Sequence, residues 1–363
     1  MKENSQRSRR LVAAMSGGVD SSVAAAMLMG EGAEVIGVTL KFFDCDKVSE
    51  KKKSCCGTED RRQVLNVCEH LGIRHYFLDM KDVFSEKVLK KCWEEYASGR
   101  TPNPCVLCNR YLKFGSLIEY AKSLGADGII TGHYAKIARN CDGRPTLSRG
   151  DDKNKDQSYF LSLVKSDDLE MTFTPLGSMN KKQVRKMASE LALPNSEKKE
   201  SQDACVGLIG ENFSETLRRI FGAEAKSGKF LDMEGREIGE HNGIHNFTVG
   251  QRRGFGKGFG KPVFVKSINP AGDVTLTENE RDLFSKELVV RGVNWLMPEF
   301  SRKKSFIAKT QIRYRHDAAE SEVTVLNNES VKVVFLEAQR AVSPGQAAVF
   351  YADDTVIGGG IID

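Results

Sequence analysis

Leu11-Val12-Ala13-Ala14-Met15 runs directly into Ser16-Gly17-Gly18-Val19-Asp20-Ser21-Ser22, and an Ala- and Met-rich stretch follows. The short apolar run reads as a buried strand, and the stretch after the loop as a helix closing at Gly30 or Gly32. A strand feeding a Gly-rich turn that opens a helix is a physical recipe for holding phosphate. Unpaired amides at the helix start point outward, and the helix dipole favours negative charge there. Gly17 and Gly18 let the backbone approach an anion closely, while Ser16, Ser21 and Ser22 add hydroxyls. The loop lacks Gly-Lys-Ser/Thr, so it is not a Walker A loop. Taken alone, a plain strand-to-helix turn with a serine N-cap would look similar.

Working outward, residues 34–40 read as the next strand. Val64, Cys68 and Leu71 fall at helical spacing, and residues 75–78 look extended. Val88, Cys92 and Tyr96 mark another helix, with Gly99 as its stop. Leu112, Gly115, Ile118 and Ala121 line one face of a helix that ends at Gly125, and 128–131 is a strand. Strands separated by helices imply a parallel sheet covered on both faces. After about residue 210 the character changes. Residues 247–260 are rich in Gly and Arg, and from about 284 short alternating runs dominate, at 306–313, 322–326, 331–336, 347–351 and 355–362. Asn327-Asn328 and Ser343-Pro344-Gly345 are turn signals between them. Strands with no helix between them predict a small antiparallel β-barrel.

A chain of 363 residues is long enough for two to three domains. Its 40% hydrophobic and 28% charged content excludes wholesale disorder. No apolar run approaches the roughly 20 residues that span a bilayer, and the polar start MKENSQRSRR lacks the apolar stretch of a secretory signal. A cytoplasmic protein with no membrane partner is expected. The formal charge of +5 is too mild to prove a nucleic-acid partner. Nine irregularly spaced cysteines are not a disulfide framework; in a reducing compartment they are core residues, metal ligands or reactive thiols.

Two of the thiol-bearing stretches stand out. In Thr101-Pro102-Asn103-Pro104-Cys105-Val106-Leu107-Cys108-Asn109 the two prolines fix the backbone in a loop just before a helix. Thiols there sit near a helix N-terminus, where a thiolate is favoured. Glu200-Ser201-Gln202-Asp203-Ala204-Cys205 puts another thiol in a polar stretch, unlike the apolar settings of Cys68 and Cys92. One CxxC does not make a structural zinc site.

SGGVDSS after a first strand resembles the phosphate loop of the PP-loop ATP pyrophosphatase superfamily. Further matches make the resemblance narrower: TPNPCVLCN at 101–109, TGHYA at 131–135, KDQSYFL at 155–161, ESQDAC at 200–205, GQRRG at 250–254, IRYR at 312–315, SPGQ at 343–346 and GGGII at 358–362. Together, in this order and over nearly the whole length, they resemble the tRNA-specific 2-thiouridylases of the MnmA/TrmU type.

The resemblance implies an α/β, parallel-sheet PP-loop domain (adenine nucleotide alpha hydrolase-like) at 1–212. A small central tRNA-binding domain at 213–282 and a C-terminal antiparallel β-barrel at 283–363, also tRNA-binding, would follow. It implies an ATP- and Mg2+-using sulfurtransferase that thiolates C2 of the wobble uridine in the anticodon arm of tRNA. ATP would contact Ala14, Met15, Ser16, Gly17, Gly18, Val19, Asp20, Ser21, Leu40 and Gly132. The tRNA would contact Asn103, Pro104, Cys105, His133, Lys155, Asp156, Gln157, Arg313, Tyr314 and Gln346. Cys205 would carry a persulfide supplied by a cysteine desulfurase or sulfur-relay protein, with Cys108 assisting and forming a disulfide with it. Many members of the family carry Asp where this chain has Cys105, so a carboxylate's proton-handling role does not transfer. Three thiols, Cys105, Cys108 and Cys205, then allow a second route through a 4Fe–4S cluster. Both routes stay open on the sequence.

Residue chemistry alone gives plainer alternatives. Lys155-Asp156-Gln157 offers a cation and base-reading groups, yet also suits an ordinary helix start. Arg313 and Tyr314 pair a cation with a stacking ring, as an unstacked nucleotide requires, or form a solvated strand edge. Arg252, Arg253, Lys257 and Lys261 suit backbone phosphates or a solvated face. A ligase using the same loop with an amine nucleophile would leave the thiol motifs without a task. A catalytically silent tRNA-binding protein with a structural metal is the other competing reading.

Overall fold

The computed structural model of the chain describes residues 8–43, 58–199 and 213–363. They fall within two compact units, Met1–Phe84 with Cys108–Gly210, and Ser85–Leu107 with Glu211–Asp363. Among the described residues no helix is long and apolar enough to cross a membrane.

The first unit is the expected parallel α/β layer structure. Its strands are β1 (Arg10–Ala14), β2 (Glu34–Lys41), β3 (Arg74–Asp79), β4 (Gly128–Ile130) and, after an antiparallel hairpin of β5 (Ala135–Arg139) and β6 (Pro145–Arg149), β7 (Thr172–Phe173). The sheet order is β3-β2-β1-β4-β7 and every pairing is parallel. Leu11, Val12 and Ala13 are buried, as continuous apolar runs covered on both faces should be. α1 (Val19–Gly30), α2 (Thr58–Leu71) and α9 (Lys181–Glu190) pack into one core with β1: Leu11 and Ala13 meet Val23, Ala24, Val64, Val67, Val184 and Ala188. The Ala-rich sequence of α1 lets that helix lie close and buried. Truncating a core residue such as Leu11 to Ala would cost about 2–5 kcal/mol.

This order positions a site. The chain winds from β1 through β2 to β3, then returns to place β4 on the other side of β1. The carboxyl ends of β1 and β4 therefore flank the point where the winding reverses, which is where open parallel sheets leave a crevice for ligands. The loop of residues 15–18 follows one strand and residues 131–134 follow the other.

In the second unit, α4 (Lys90–Ala97) stops at Gly99, whose φ is +73°. After α10 (Phe213–Ile220) comes a four-stranded sheet of β8 (Gly228–Leu231), β9 (Glu237–His241), β10 (Phe264–Ile268) and β11 (Val274–Thr277), in the order β10-β11-β8-β9. Its core gathers Phe230, Phe247, Phe255 and Phe259, so the Gly/Arg-rich stretch is anchored by its aromatic residues. Of the basic residues in that stretch, Lys261 pairs with Glu278, and Lys257 donates to Ile238 O at 2.9 Å.

The barrel follows, with β12 (Phe284–Trp295), β13 (Ser305–Gln311), β14 (Ala319–Asn327), β15 (Ser330–Arg340), β16 (Ala347–Ala352) and β17 (Thr355–Ile362). β12 pairs with both β15 and β17, closing the antiparallel sheet on itself. The alternating runs revealed five of these strands. β12 escaped because its burial does not alternate and its register shifts between Arg291 and Asn294, with Gly292 at φ +60°. The glycines of β17 admit this kinked partner: a Cβ on Gly358 would stand 2.5 Å from Asn294 O, and one on Gly360 would stand 2.6 Å from Arg291 O.

Candidate functional site

The loop after β1 is shaped to leave helix amides available. Gly17 has φ +73°, where a side chain would be strained. Gly18 is the N-cap of α1 and provides no side-chain bond to the first turn, so no cap competes with an anion there. Two hydroxyls lock the loop from inside: Ser21 Oγ and Ser22 Oγ each donate to Gly18 O at 3.1 Å. Ser16 Oγ lies 3.2 Å from Ser21 Oγ. Ser22 is wholly buried and also accepts from Asn195 Nδ2 at 3.0 Å. The sequence suggested these hydroxyls as anion donors; those of Ser21 and Ser22 instead satisfy the carbonyl at the start of the helix.

Residues from later in the chain close around this loop. Gly132, just past β4, touches the Asp20–Ser21 peptide: a Cβ there would lie 2.8 Å from Asp20 C and Ser21 N. Asp20 Oδ1 accepts from Tyr134 Oη at 2.7 Å and from Lys181 Nζ at 2.6 Å. Gly17 O accepts from Lys198 Nζ at 3.1 Å and Asn195 Nδ2 at 3.3 Å. On the β2 side, Ala14 ends β1, and Met15 is buried, its amide donating to Val38 O and its carbonyl accepting from Thr39 Oγ1. Leu40 lies beyond Thr39 near the end of the same strand.

The other first-unit residues have defined surroundings. His133 is buried, with Nδ1 3.0 Å from Thr131 Oγ1 and its ring 5.5 Å from that of Phe114. Burial first, and the Lys113 charge second, push its pKa down to about 3, so its ring is neutral at ordinary pH. The buried Asp156 accepts from Arg149 Nη1, Ser158 Oγ, Gly150 N and Ser158 N. Gln157 holds Tyr134 through both backbone groups, Oε1 accepting from Tyr134 N and its amide donating to Tyr134 O. Lys155 is half-buried beside them.

The thiols lie in a helix rather than ahead of it. α5 (Pro104–Cys108) starts at Pro104 and runs through wide π-helical turns at Asn109–Ser116 into α6 (Leu117–Ser123). Proline suits a first helical position, and Asn103 Oδ1 accepts from the amides of Cys105 and Val106. Cys105 is half-buried and Cys108 is buried. Asn109 Nδ2 donates to Phe160 O at 3.2 Å. Cys68 and Cys92 are core thiols, burial pushing Cys68 up to about 11, and Cys141 is exposed at the tip of the β5–β6 hairpin. Cys45, Cys55, Cys56 and Cys205 lie outside the described residues, and so does any meeting of Cys205 with Cys105 or Cys108. Among the described residues no three His, Cys, Asp or Glu side chains form a metal-binding group.

In the second unit, Gln346 Nε2 donates to Thr101 O at 2.9 Å, and Thr101 N donates to Pro344 O at 2.8 Å. Arg100 Nη2 donates to Ile362 O at 2.9 Å. The segment leading into Asn103, Pro104 and Cys105 is thus tied to the Ser343-Pro344-Gly345-Gln346 turn. Beside it is a cavity of about 290 Å³ lined by Thr248, Gly250, Arg313, Arg340 and Gln346 among others. Gln311 Nε2 donates to the carbonyls of Arg313 and Tyr314, fixing that turn. The structure therefore gathers Arg313 and Gln346, far apart in sequence, at one cavity.

Sequence reading missed Tyr134, Lys181, Asn195 and Lys198 as parts of the loop's surroundings. One signal was available: Lys181 and Lys182 open α9 with no acidic residue in its first turn, against the helix dipole.

Comparisons with known proteins cover the chain. Family models described as tRNA methyl transferase HUP domain, tRNA methyl transferase PRC-barrel domain and aminomethyltransferase beta-barrel domain match residues 9–209, 214–275 and 285–362. A protein of Rickettsia typhi named tRNA-specific 2-thiouridylase MnmA is 41% identical over 352 residues, 97% of this chain and 98% of its own. One of the same name from Clostridium beijerinckii is 40% identical over 356 residues, 98% of this chain and 99% of its own. With the phosphate loop, the thiol-bearing helix and the closed barrel each in place, these matches over almost the entire length show that the chain belongs to the tRNA-specific 2-thiouridylase family.

Proposed function

We propose that this protein uses ATP to exchange the C2 oxygen of the wobble uridine of tRNA for sulfur. The observation that carries the reading is the approach of Gly132 to the Asp20–Ser21 peptide. It closes a phosphate-type loop at the reversal point of a parallel sheet, with helix amides uncapped. The uridine C2 oxygen would attack the α-phosphorus of ATP, expelling pyrophosphate and leaving C2 joined to AMP through that oxygen. The amides after Gly18 would bind the phosphate oxygens as charge moves onto them. Asp20 is the carboxylate that would hold Mg2+ beside ATP; when bound, the ion neutralises phosphate charge.

The terminal sulfur of a Cys205 persulfide would then attack C2, and AMP would depart with the original oxygen. Attack of the Cys108 thiolate on the Cys205 sulfur would break the S–S bond, form a Cys108–Cys205 disulfide and leave the terminal sulfur on C2. Reduction of that disulfide by an external thiol and reloading by a persulfide-carrying donor would complete the cycle. Asn103, Pro104 and Cys105 would face the target base. Gln157 and Asp156 hold the segment that Lys155 offers to phosphate, and neutral His133 would present a ring nitrogen or face, not a cation. Arg313, Tyr314 and Gln346 would grip unstacked nucleotides of the anticodon arm.

Two of the matching family models carry the words methyl transferase. The uncapped loop and the two cysteine motifs favour adenylation and sulfur transfer. The cluster route shares the adenylation step and replaces the persulfide with sulfur bound to iron held by Cys105, Cys108 and Cys205. Anaerobic purification with iron analysis decides between them. Repeated turnover of pyrophosphate release that requires both tRNA and a sulfur source tests the proposal as a whole: a first round would need only ATP and tRNA, a ligase would turn over without sulfur, and a silent binder would release none.

A further inference from the structure

We propose that Lys181 binds the pyrophosphate portion of ATP, an inference that rests on the reading of residues 16–22 as the ATP phosphate loop. Its ammonium lies 2.6 Å from Asp20 Oδ1, in the first turn of α1 at the mouth of the loop, and its side chain is only 14% exposed. That carboxylate oxygen is shared with Tyr134 Oη at 2.7 Å, so the pair is braced, and the Lys181 ammonium lies 5.9 Å from the centre of the Tyr134 ring.

Helix chemistry does not explain a lysine here. α9 is already capped by Asn180, whose side chain accepts from Gln183 N, with Gln183 returning a bond to Asn180 N. A helix opening favours anions, yet this one opens with Lys181 and Lys182. A local rule broken beside a ligand loop points to a task for the residue that breaks it.

Direction selects which phosphates it meets. Leu40 lies near the end of β2 on one side of β1, whereas Gly132 and Tyr134 follow β4 on the other side. A nucleotide whose base rests at the β2 edge and whose phosphates cross the loop brings its terminal phosphates toward Tyr134 and Lys181. Lys198, donating to Gly17 O, adds a second cation at the loop. Asp20 thus holds Lys181 aimed before ATP arrives, and the ammonium then bonds the group that leaves as pyrophosphate.

The test uses the full chain without tRNA, measuring binding of ATP, AMP and inorganic pyrophosphate to the unaltered protein, Lys181→Met and Lys181→Arg. Lys181→Met should weaken ATP and pyrophosphate at least about tenfold and leave AMP within about twofold, with Lys181→Arg recovering most of the loss. Equal losses for ATP and AMP, or no loss for either, would overturn the role of Lys181. Failure of the unaltered protein to bind ATP would instead strike the reading of the loop. If Lys181→Met does not stay folded, Lys181→Gln replaces it with the same expected pattern.

Discussion

Gly132 and Asp20 are in backbone contact, with space for hydrogen but not for a methyl group between Gly132 Cα and the Asp20–Ser21 peptide. Because the opposing atoms are backbone, a larger residue cannot be accommodated by a side-chain rotation. Gly132→Ala should displace the start of α1 at a cost of about 1–3 kcal/mol. Pyrophosphate release should then fall by roughly ten- to a hundredfold in a protein that remains folded. Assaying release alongside a thermal melt checks this, and normal release would show that the loop tolerates the shift.

Asp20→Ala should abolish pyrophosphate release more completely than it harms folding. The substitution removes the carboxylate that orients Lys181 and Tyr134 and that would hold a phosphate-bound cation. Release at the normal rate would count against the loop's role.

Cys205→Ser should eliminate thiolation while leaving tRNA affinity nearly unchanged, because the proposal makes the thiol a nucleophile and not an RNA anchor. Cys108→Ser should retain pyrophosphate release and lose sulfur transfer. Mass spectrometry of tRNA nucleosides reads both. Thiolation surviving in Cys205→Ser contradicts the assignment.

Acid should destabilise the first unit through two imidazoles. Burial lowers His75 from 6.5 to about 4, and burial with Lys113 lowers His133 from 6.5 to about 3. Above pH 6.5 neither folded nor unfolded chain is protonated at these rings and their contribution is constant. Below 6.5 the unfolded chain binds protons that the folded one refuses. Stability therefore falls as pH drops toward 4 and 3, by up to about 1.4 kcal/mol per pH unit for each ring. Urea melts between pH 7 and pH 5 should show this slope, and His133→Gln should flatten it. An unchanged slope in that variant would remove His133 from the account.

Gln346→Ala should lose the bond to Thr101 O and loosen the segment that carries Cys105. A net cost of about 0.5–1.5 kcal/mol is expected in stability. Thiolation should fall by more than stability alone explains, because the same residue is proposed to touch tRNA. Comparison of melts with single-turnover thiolation rates separates the two losses.

The sequence made the β1–loop–α1 unit legible because a buried strand, two glycines and a helix-forming stretch are consecutive and local. The parallel sheet and five barrel strands were likewise visible as periodic patterns. β12 was not, since a register shift and Gly292 break its alternation. The stretch 101–109 reads as a loop just before a helix, whereas Asn103 supplies the acceptor that lets the helix begin at Pro104 and places both thiols inside it. Lys181 showed only as a cation oddly placed at a helix start, and Asn195 and Lys198 not at all, for a different reason. Their significance lies in contacts with residues 161 to 181 positions away, which no local pattern encodes.

Arg100 reaches Ile362 across 262 positions of sequence. The segment leading to Cys105 therefore cannot acquire its final neighbours until the ribosome has delivered the chain through Ile362. Nascent protein would lack this tie until Ile362 has emerged, so the sulfur chemistry proposed for the Cys105 segment waits on β17.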